Sequence, residues 1–174
     1  MRGASTECAP RTGTGSNRPG TAREAAAVRP KRLNMVATAP AAPVLDRPVY
    51  SRHGYEYAQQ RPDGRITLGG YSDLDGDASW TDREELSAPV QARLERHLRE
   101  ELGVDVPVTH RWVGIVGYAE DPLPLCGTVP GAGDRVFALG GYNGTGHVQA
   151  WVAARHVAAL IDGEDAGTSY AALG

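Results

Sequence analysis

The chain has 174 residues, 41% of them apolar and 22% charged, with a formal net charge of −3. At roughly 150 residues per domain, that is one domain or slightly more, with enough apolar content to bury a core. No run approaches the roughly 18 apolar residues of a membrane span, and the basic N-terminus lacks the apolar stretch of a secretory signal. Cys8 and Cys126 lie far apart, form neither a disulfide framework nor a metal-ligand spacing, and fit a reducing cytoplasm.

The average hides a break in composition. Residues 1–33 carry seven basic and two acidic groups, a net of +5, while the remaining 141 carry eleven and nineteen, a net of −8. The first 30 residues hold no Ile, Leu, Phe, Tyr or Trp, too little apolar surface to offset ordering entropy, so they are predicted to form a disordered leader. Its charges are spread thinly among Pro and Gly, which favours an inert tail over a nucleic-acid arm. Glu7, Glu24 and the prolines break the amphipathic helix that an organellar transit peptide needs.

From residue 32 the chain alternates as folded sequence does. Arg32 to Thr38 reads as a strand before a Pro-rich turn, and Val49 to Gln60 as a second strand with Tyr55 and Tyr57 on one face. Pro62-Asp63-Gly64 signals a tight turn, and Arg65 to Tyr71 returns as the other arm of a hairpin. Gly69-Gly70 leaves the backbone open to close approach. Leu86, Val90, Leu94, Leu98 and Leu102 repeat every four residues, the apolar stripe of one helix, with Pro89 in its first turn and Gly103 as its stop. His97 falls on the polar side of that stripe and His156 inside a later helix, both read as structural.

Further strands are expected at Val106–Val116 and Arg135–Leu139, and a second helix from His147 to Ile161. The fold class is α+β, a mixed α/β chain whose strands cluster early.

Few features carry chemistry. The sharpest is a buried strand entering a glycine-rich turn, Gly140-Gly141-Tyr142-Asn143-Gly144-Thr145-Gly146, and leaving directly into a helix that begins near His147. Free amides at a helix start, with the positive end of its dipole, favour an anionic or electron-rich ligand atom. A tight turn serving close packing explains the same glycines equally well. The spacing is neither a phosphate loop nor the dinucleotide pattern GxGxxG. Trp112 to Pro124 forms a second feature, a strand ending at Asp121 in a proline-braced turn, where an aspartate more often stabilises the turn than catalyses. The five histidines show no metal spacing, and only His147 is placed to meet a ligand. Ser51, Ser72 and Ser79 have no nucleophile-elbow context, so a hydrolase triad has no support.

Five segments in order carry a resemblance: RLNMVAT, the hairpin ending DGRITLGG, QARLERHLREEL, RWVGIVGYAEDPLPLCG, and VFALGGYNGTGHVQAWVAARHVAALIDG. From about Arg32 to Gly163 the chain resembles the C-terminal half of the FAD-dependent glycine/D-amino-acid oxidase (DAO) family, especially its amine-oxidising branch related to gamma-glutamylputrescine oxidoreductase. The resemblance implies a leader over 1–30 and an antiparallel-rich, partial substrate-binding domain with one long helix over 31–117. It implies the C-terminal strand–Gly loop–helix of an FAD-binding domain over 118–163, and a tail over 164–174.

It implies non-covalent FAD approached by Gly141, Tyr142, Asn143, Gly144, Thr145, Gly146 and His147, and hydride transfer from the C–N carbon of an amine or amino acid to flavin. The expected partner is thus a small-molecule amine or amino acid, with no nucleic acid, membrane or metal, and no catalytic residue is assigned. Three departures follow. No strand precedes a GxGxxG here, so the Rossmann half that holds the ADP end is missing and the site is incomplete. This predicts a truncated chain, inactive without such a part, whose exposed apolar surface invites association. Val116 stands where amino-acid-oxidising relatives often carry a carboxylate-clamping arginine, which favours an amine. Cys126 lies downstream of Asp121, the wrong side for a covalent flavin link. The alternative is a non-catalytic remnant, or a phosphate- or nucleotide-binding module using the same loop.

Overall fold

The computed structural model describes residues 28–120, 122–129, 132 and 135–164; the expected leader up to residue 27, the turn residue Asp121 and most of the expected tail lie outside them. The described residues form two compact units, Arg29–Tyr118 and a second made of Val28 and the residues from Ala119 onward.

The first unit is a five-stranded sheet carrying one helix. Its strands are β1 (Val28–Thr38), β2 (Val49–Ser51), β3 (Glu56–Gln60), β4 (Ile66–Gly70) and β5 (Val108–Ala119), in the order β2-β3-β4-β1-β5. β3 and β4 pair antiparallel from Glu56↔Gly70 to Gln60↔Ile66, the hairpin that Pro62-Asp63-Gly64 announces. β1 pairs antiparallel with β4, Met35 lying opposite Gly69. β1 begins at Val28, so the last three residues assigned to the leader are strand. The mixed α+β class holds.

The span expected as one strand, Val49 to Gln60, is instead two strands joined by a reversal. Arg52 and His53 take left-handed φ values of 47° and 55°, followed by Gly54 at 91°, so β2 folds back antiparallel onto β3. Alternation continues on both sides of the turn, which is why periodicity alone reads it as continuous. The reversal is held by Arg52, whose guanidinium donates to Glu56 at 2.8 Å and to Asp73 at 2.7 Å. Tyr55 therefore sits at the end of the turn, and Tyr57 within β3.

Helix α1 (Ala88–Glu100) lies against one face of the sheet. Val90, Leu94 and Leu98 are buried against Val36, Ile66, Leu68 and Tyr71, and Leu102 packs on this core from beyond the helix end. Leu86, expected to begin the stripe, precedes the helix and is exposed. The helix starts one residue after Ser87 because that residue is doubly anchored. Its N–H donates to the buried Asn34 Oδ1 at 3.0 Å, and its hydroxyl both accepts from Val90 N–H and donates to Asp75. Asp75 in turn pairs with Arg32 at 3.0 Å. Asn34 Oδ1 also accepts from Gln91 Nε2, so β1 grips the first turn of α1 through two donors.

His97 does not face water. It is buried, its Nδ1 2.5 Å from the Tyr71 hydroxyl and 3.4 Å from Glu101 Oε2. Position 97 sits at the edge of the apolar stripe, and a polar partner on the sheet turns that edge inward. Tyr71, at a left-handed φ of 57°, lies between Arg93 and Arg52, whose guanidinium carbons stand 4.4 and 5.7 Å from its ring centre. Glu56, His97 and Glu101 bring ligand atoms within 4.8 Å of one another, a spacing a metal ion could use. Arg52 and Arg93 already neutralise the two carboxylates, at 2.8 and 2.6 Å, so the cluster reads as a charge-balanced network, buried at Glu56 and His97 and exposed at Glu101.

Two expectations follow. Leu94→Ala leaves a void among fully buried neighbours and lowers unfolding free energy by roughly 2–5 kcal/mol, whereas Asn34→Ala, which orphans Ser87 N–H and the Gln91 amide, lowers it by about 1–3 kcal/mol; urea titration followed by circular dichroism checks both. Burial alone would raise the Glu56 carboxyl, but donors from Arg52, Ser51 and Tyr71 outweigh it and hold its pKa below the usual range. A depressed folded-state pKa adds stability above the ordinary carboxylate range that is lost as pH falls through the folded value. The stability gap between the natural chain and Glu56→Gln should therefore narrow on acidification through and below the ordinary glutamate range, and a constant gap would contradict it.

Candidate functional site

The second unit is built from β6 (Leu125–Thr128), β7 (Phe137–Gly140) and α2 (Gly146–Asp162). β6 and β7 pair antiparallel from Leu125↔Gly140 to Thr128↔Phe137. β6 has no counterpart among the expected strands, because four residues after a proline-rich turn are too few to show a period. α2 rests on this hairpin through Ala153 and Val157, which bury Cys126 with Phe137 and Tyr142 at the margin. The Cys126 thiol is free and its pKa is raised by burial, which makes it a poor nucleophile.

The glycine-rich turn joins β7 to α2 as expected. Gly141 and Gly144 take φ values of 70° and 85°, and Asn143, the non-glycine residue most tolerant of that region, takes 52°. Gly141 is buried, and a Cβ there would stand 2.9 Å from the Ala119 methyl. Asn143 Oδ1 accepts the Ala119 N–H at 2.8 Å, tying the loop to the Ala119 backbone of its own unit. Thr145 turns its hydroxyl back to the Tyr142 carbonyl at 2.7 Å instead of capping the helix. The Thr145 carbonyl takes the N–H groups of Val148 and Gln149, each at 3.2 Å. The first helical amides, at Gly146 and His147, have no carbonyl four residues earlier in the helix to bond. Gly144, Thr145 and His147 are exposed at that rim. Amides without a carbonyl partner in the helix, the positive helix end and the small residues Gly144 and Thr145 suit an electron-rich heteroatom of a ligand.

A second group of residues escapes sequence reasoning. On the sheet of the first unit, Tyr50 stacks on Tyr57 with ring centres 6.0 Å apart, and Trp80 meets Tyr118 edge-on at 5.7 Å. Gly69 makes room for this face, because any Cβ there would strike the Tyr57 ring and Met35 sulfur. The close approach expected at Gly69-Gly70 is thus made by the protein itself. Met35, Tyr50, Tyr57, Ala58 and Thr67 line a cavity of about 290 Å³. Burial, together with the nearby Tyr118 and Tyr50 phenols, pushes the Tyr57 hydroxyl up to about 12, so it stays protonated at neutral pH. These residues are scattered from 35 to 118, and no linear spacing joins them.

Asn143 gives the loop a direct test. Asn143→Gly keeps the left-handed backbone but removes the acceptor, and Asn143→Ala removes both. Amide hydrogen exchange at Ala119 should therefore speed up in the first variant and further in the second; unchanged protection would show that the loop is held by something else.

The model of the FAD dependent oxidoreductase family matches residues 12–160. That match begins within the expected leader, ahead of the first family-like segment at Arg32. No curated protein matches the chain in sequence. In structure it is similar to glycine oxidase from Geobacillus kaustophilus, at TM-score 0.64 and 20% identity over 83% of this chain and 37% of that one. It is also similar to iminodiacetate oxidase from Chelativorans sp. BNC1, at TM-score 0.65 and 18% identity over 82% and 38%. L-proline dehydrogenase from P. horikoshii matches at TM-score 0.62 and 18% identity over 79% and 37%. The chain thus spans less than two fifths of the structures it matches, and at these identities the likeness is one of fold. Among the described residues, no helix is long and apolar enough to cross a membrane. With the family model covering most of its length, the chain belongs to the DAO family of FAD-dependent oxidoreductases.

Proposed function

We propose that the chain serves the oxidation of a C–N bond in a small amine or amino acid by a flavoenzyme of this family, the second unit meeting the flavin ring and the first presenting the substrate. The observation that carries the reading is the β7–Gly loop–α2 junction, where left-handed glycines lead into a helix start whose first amides have no side-chain cap. Those donors suit the pyrimidine edge of an isoalloxazine ring, while the described residues offer no strand–GxGxxG–helix for an ADP moiety. The fit is therefore to half of FAD, and the adenosine half is held by a Rossmann-type unit outside the described residues.

When bound, the flavin accepts the hydride from the substrate carbon. The chain's own part is electrostatic and positional. The amides of Gly146 and His147 and the dipole of α2 favour negative charge at the edge they face, without reorganisation during the reaction. Gly141 and Gly144 keep the loop in its left-handed path and the approach free of Cβ atoms. A non-covalent flavin is supported by the burial of Cys126. An amine over an α-amino acid is supported by Val116 at the position of the resemblance's arginine clamp, and a cytoplasmic setting by the reduced Cys126.

α2 also carries Val148, Trp151 and Ile161 exposed on its outside, at 69, 67 and 62%. A helix apolar on both sides is ordinarily covered on both. The reading assigns this outer side to association with the Rossmann-type unit.

Flavin fluorescence titration of the chain tests the reading. Riboflavin and FAD should bind with similar, weak affinity, because only the ring end is recognised, and Gly144→Val should weaken both by roughly tenfold or more through loop strain. A chain that takes up neither flavin, or one that binds FAD far more tightly than riboflavin, would overturn it.

A further inference from the structure

Lys31 is the single lysine in a chain with seventeen arginines. It projects from β1 into a cage of three rings, its Nζ lying 4.8 Å from the centre of Trp80, 5.6 Å from Tyr118 and 5.8 Å from Tyr55. Trp80 and Tyr118 stand at 80° to each other, so two walls of the cage meet nearly at a right angle. Arg29, two residues earlier on the same strand, lays its guanidinium 4.4 Å over the Trp80 ring.

What distinguishes these two cations is the lack of a counter-charge. Arg32, Arg52, Arg65 and Arg111, on or beside the same sheet, each pair with a carboxylate, at 3.0, 2.8, 3.6 and 2.6 Å. Among the described residues, Arg29 and Lys31 have no carboxylate within 4.0 Å. The nearby acids are already engaged: Asp75 by Arg32 and Ser87, Asp73 and Glu56 by Arg52. Ring faces stabilise an ammonium's charge but give its three N–H groups no lone-pair acceptor. The Tyr118 phenol, its pKa raised by burial and by Tyr50 and Tyr55, keeps its proton and is a further donor. Among the described residues the face therefore holds positive charge with no carboxylate to balance it and only neutral phenol oxygens as acceptors, partly shielded from water by aromatic walls.

We propose that Lys31, framed by Tyr55, Trp80 and Tyr118, is a binding site for a small carboxylate ligand. A carboxylate is planar and singly charged, supplies the missing acceptors, and forms charge-assisted hydrogen bonds that this half-buried setting strengthens. Tight phosphate sites add amide nests or clustered guanidinium forks to such a point charge, and beside Lys31 there is one guanidinium, Arg29. Read with the proposed function, on which this step rests for its meaning, the site makes the substrate an amine whose carboxylate lies away from the α-position and is met at Lys31, not at the position of Val116. The anion binding itself requires no flavin.

The sole lysine makes the test direct. The full chain, labelled with carbon-13 lysine and nitrogen-15 tryptophan, gives one lysine ε-methylene signal and an indole signal for Trp80. Sodium acetate at constant ionic strength should move both saturably. Acetamide, its neutral counterpart, should bind roughly tenfold more weakly or worse, since a hydrogen bond to a charged group is lost. Methylammonium should have no effect and phosphate should bind more weakly than acetate. Lys31→Met should abolish the acetate response at the Trp80 indole, and Tyr118→Phe should weaken it several-fold while leaving the melting temperature in place.

Equal responses to acetate and acetamide, tighter binding of phosphate, no acetate response, or a response that survives Lys31→Met would each overturn the proposal. Loss of the acetate response with flavin binding intact would overturn the carboxylate site alone. An intact acetate response with no flavin uptake supports the site and removes the oxidoreductase reading.

Discussion

The first unit depends on how one helix is pinned to one sheet. The stripe Val90, Leu94 and Leu98 supplies the apolar contact, but a stripe alone lets a helix slide or rotate by a few degrees at little cost. Buried polar groups at both ends remove that freedom. Asn34, Ser87, Asp75 and Arg32 lock the first turn, and Tyr71, His97 and Glu56 lock the last, with the exposed Glu101 reaching His97 at 3.4 Å. An unpaired buried polar group is costly, so the two networks specify a register that hydrophobic burial by itself leaves loose.

Pinning α1 on one side commits the sheet's alternate residues to two different tasks. Asn34, Val36 and Thr38 of β1 turn inward and are fully buried, while Lys31 and Met35, on the opposite face, are only half covered. On that second face tyrosines and a tryptophan gather across strands, admitted by the missing side chain at Gly69. Its charges are unbalanced where those of the helix-bearing face are paired. On the helix-bearing face the charges pair, Arg32 with Asp75 and Arg52 with Glu56, while Arg32 Nε, Asn34 Nδ2, Gln91 Oε1 and Arg93 Nη1 stay buried without a hydrogen-bond partner.

The second unit shows the same economy at smaller scale. Among the described residues, a hairpin and a helix hold the loop in a left-handed path around the buried cluster Cys126, Ala153 and Val157, with Pro124 also fully buried. The exposed apolar side of α2 is part of a chain that spans under two fifths of the matched structures.

The amino-acid sequence by itself determined the helices, the β3–β4 hairpin, the strand–Gly loop–helix and the family, because each is written in neighbouring residues: a four-residue repeat, a Pro-Asp-Gly turn, glycines where φ must be positive. It misled at Val49–Gln60, where left-handed Arg52 and His53 reverse the chain without a proline and with only Gly54 to mark the turn. It misled again at His97, where an edge position is polar by pattern yet buried by contact. Tertiary structure alone decided which polar groups are satisfied and which are left over. Nothing local distinguishes Lys31 from Arg32, one position apart; the twist and pairing of the sheet send Arg32 to Asp75 and Lys31 into three aromatic rings contributed by residues 55, 80 and 118. Successive strand residues face opposite sides, so a single step along the backbone separates a structural ion pair from a cation that has no counter-charge among the described residues.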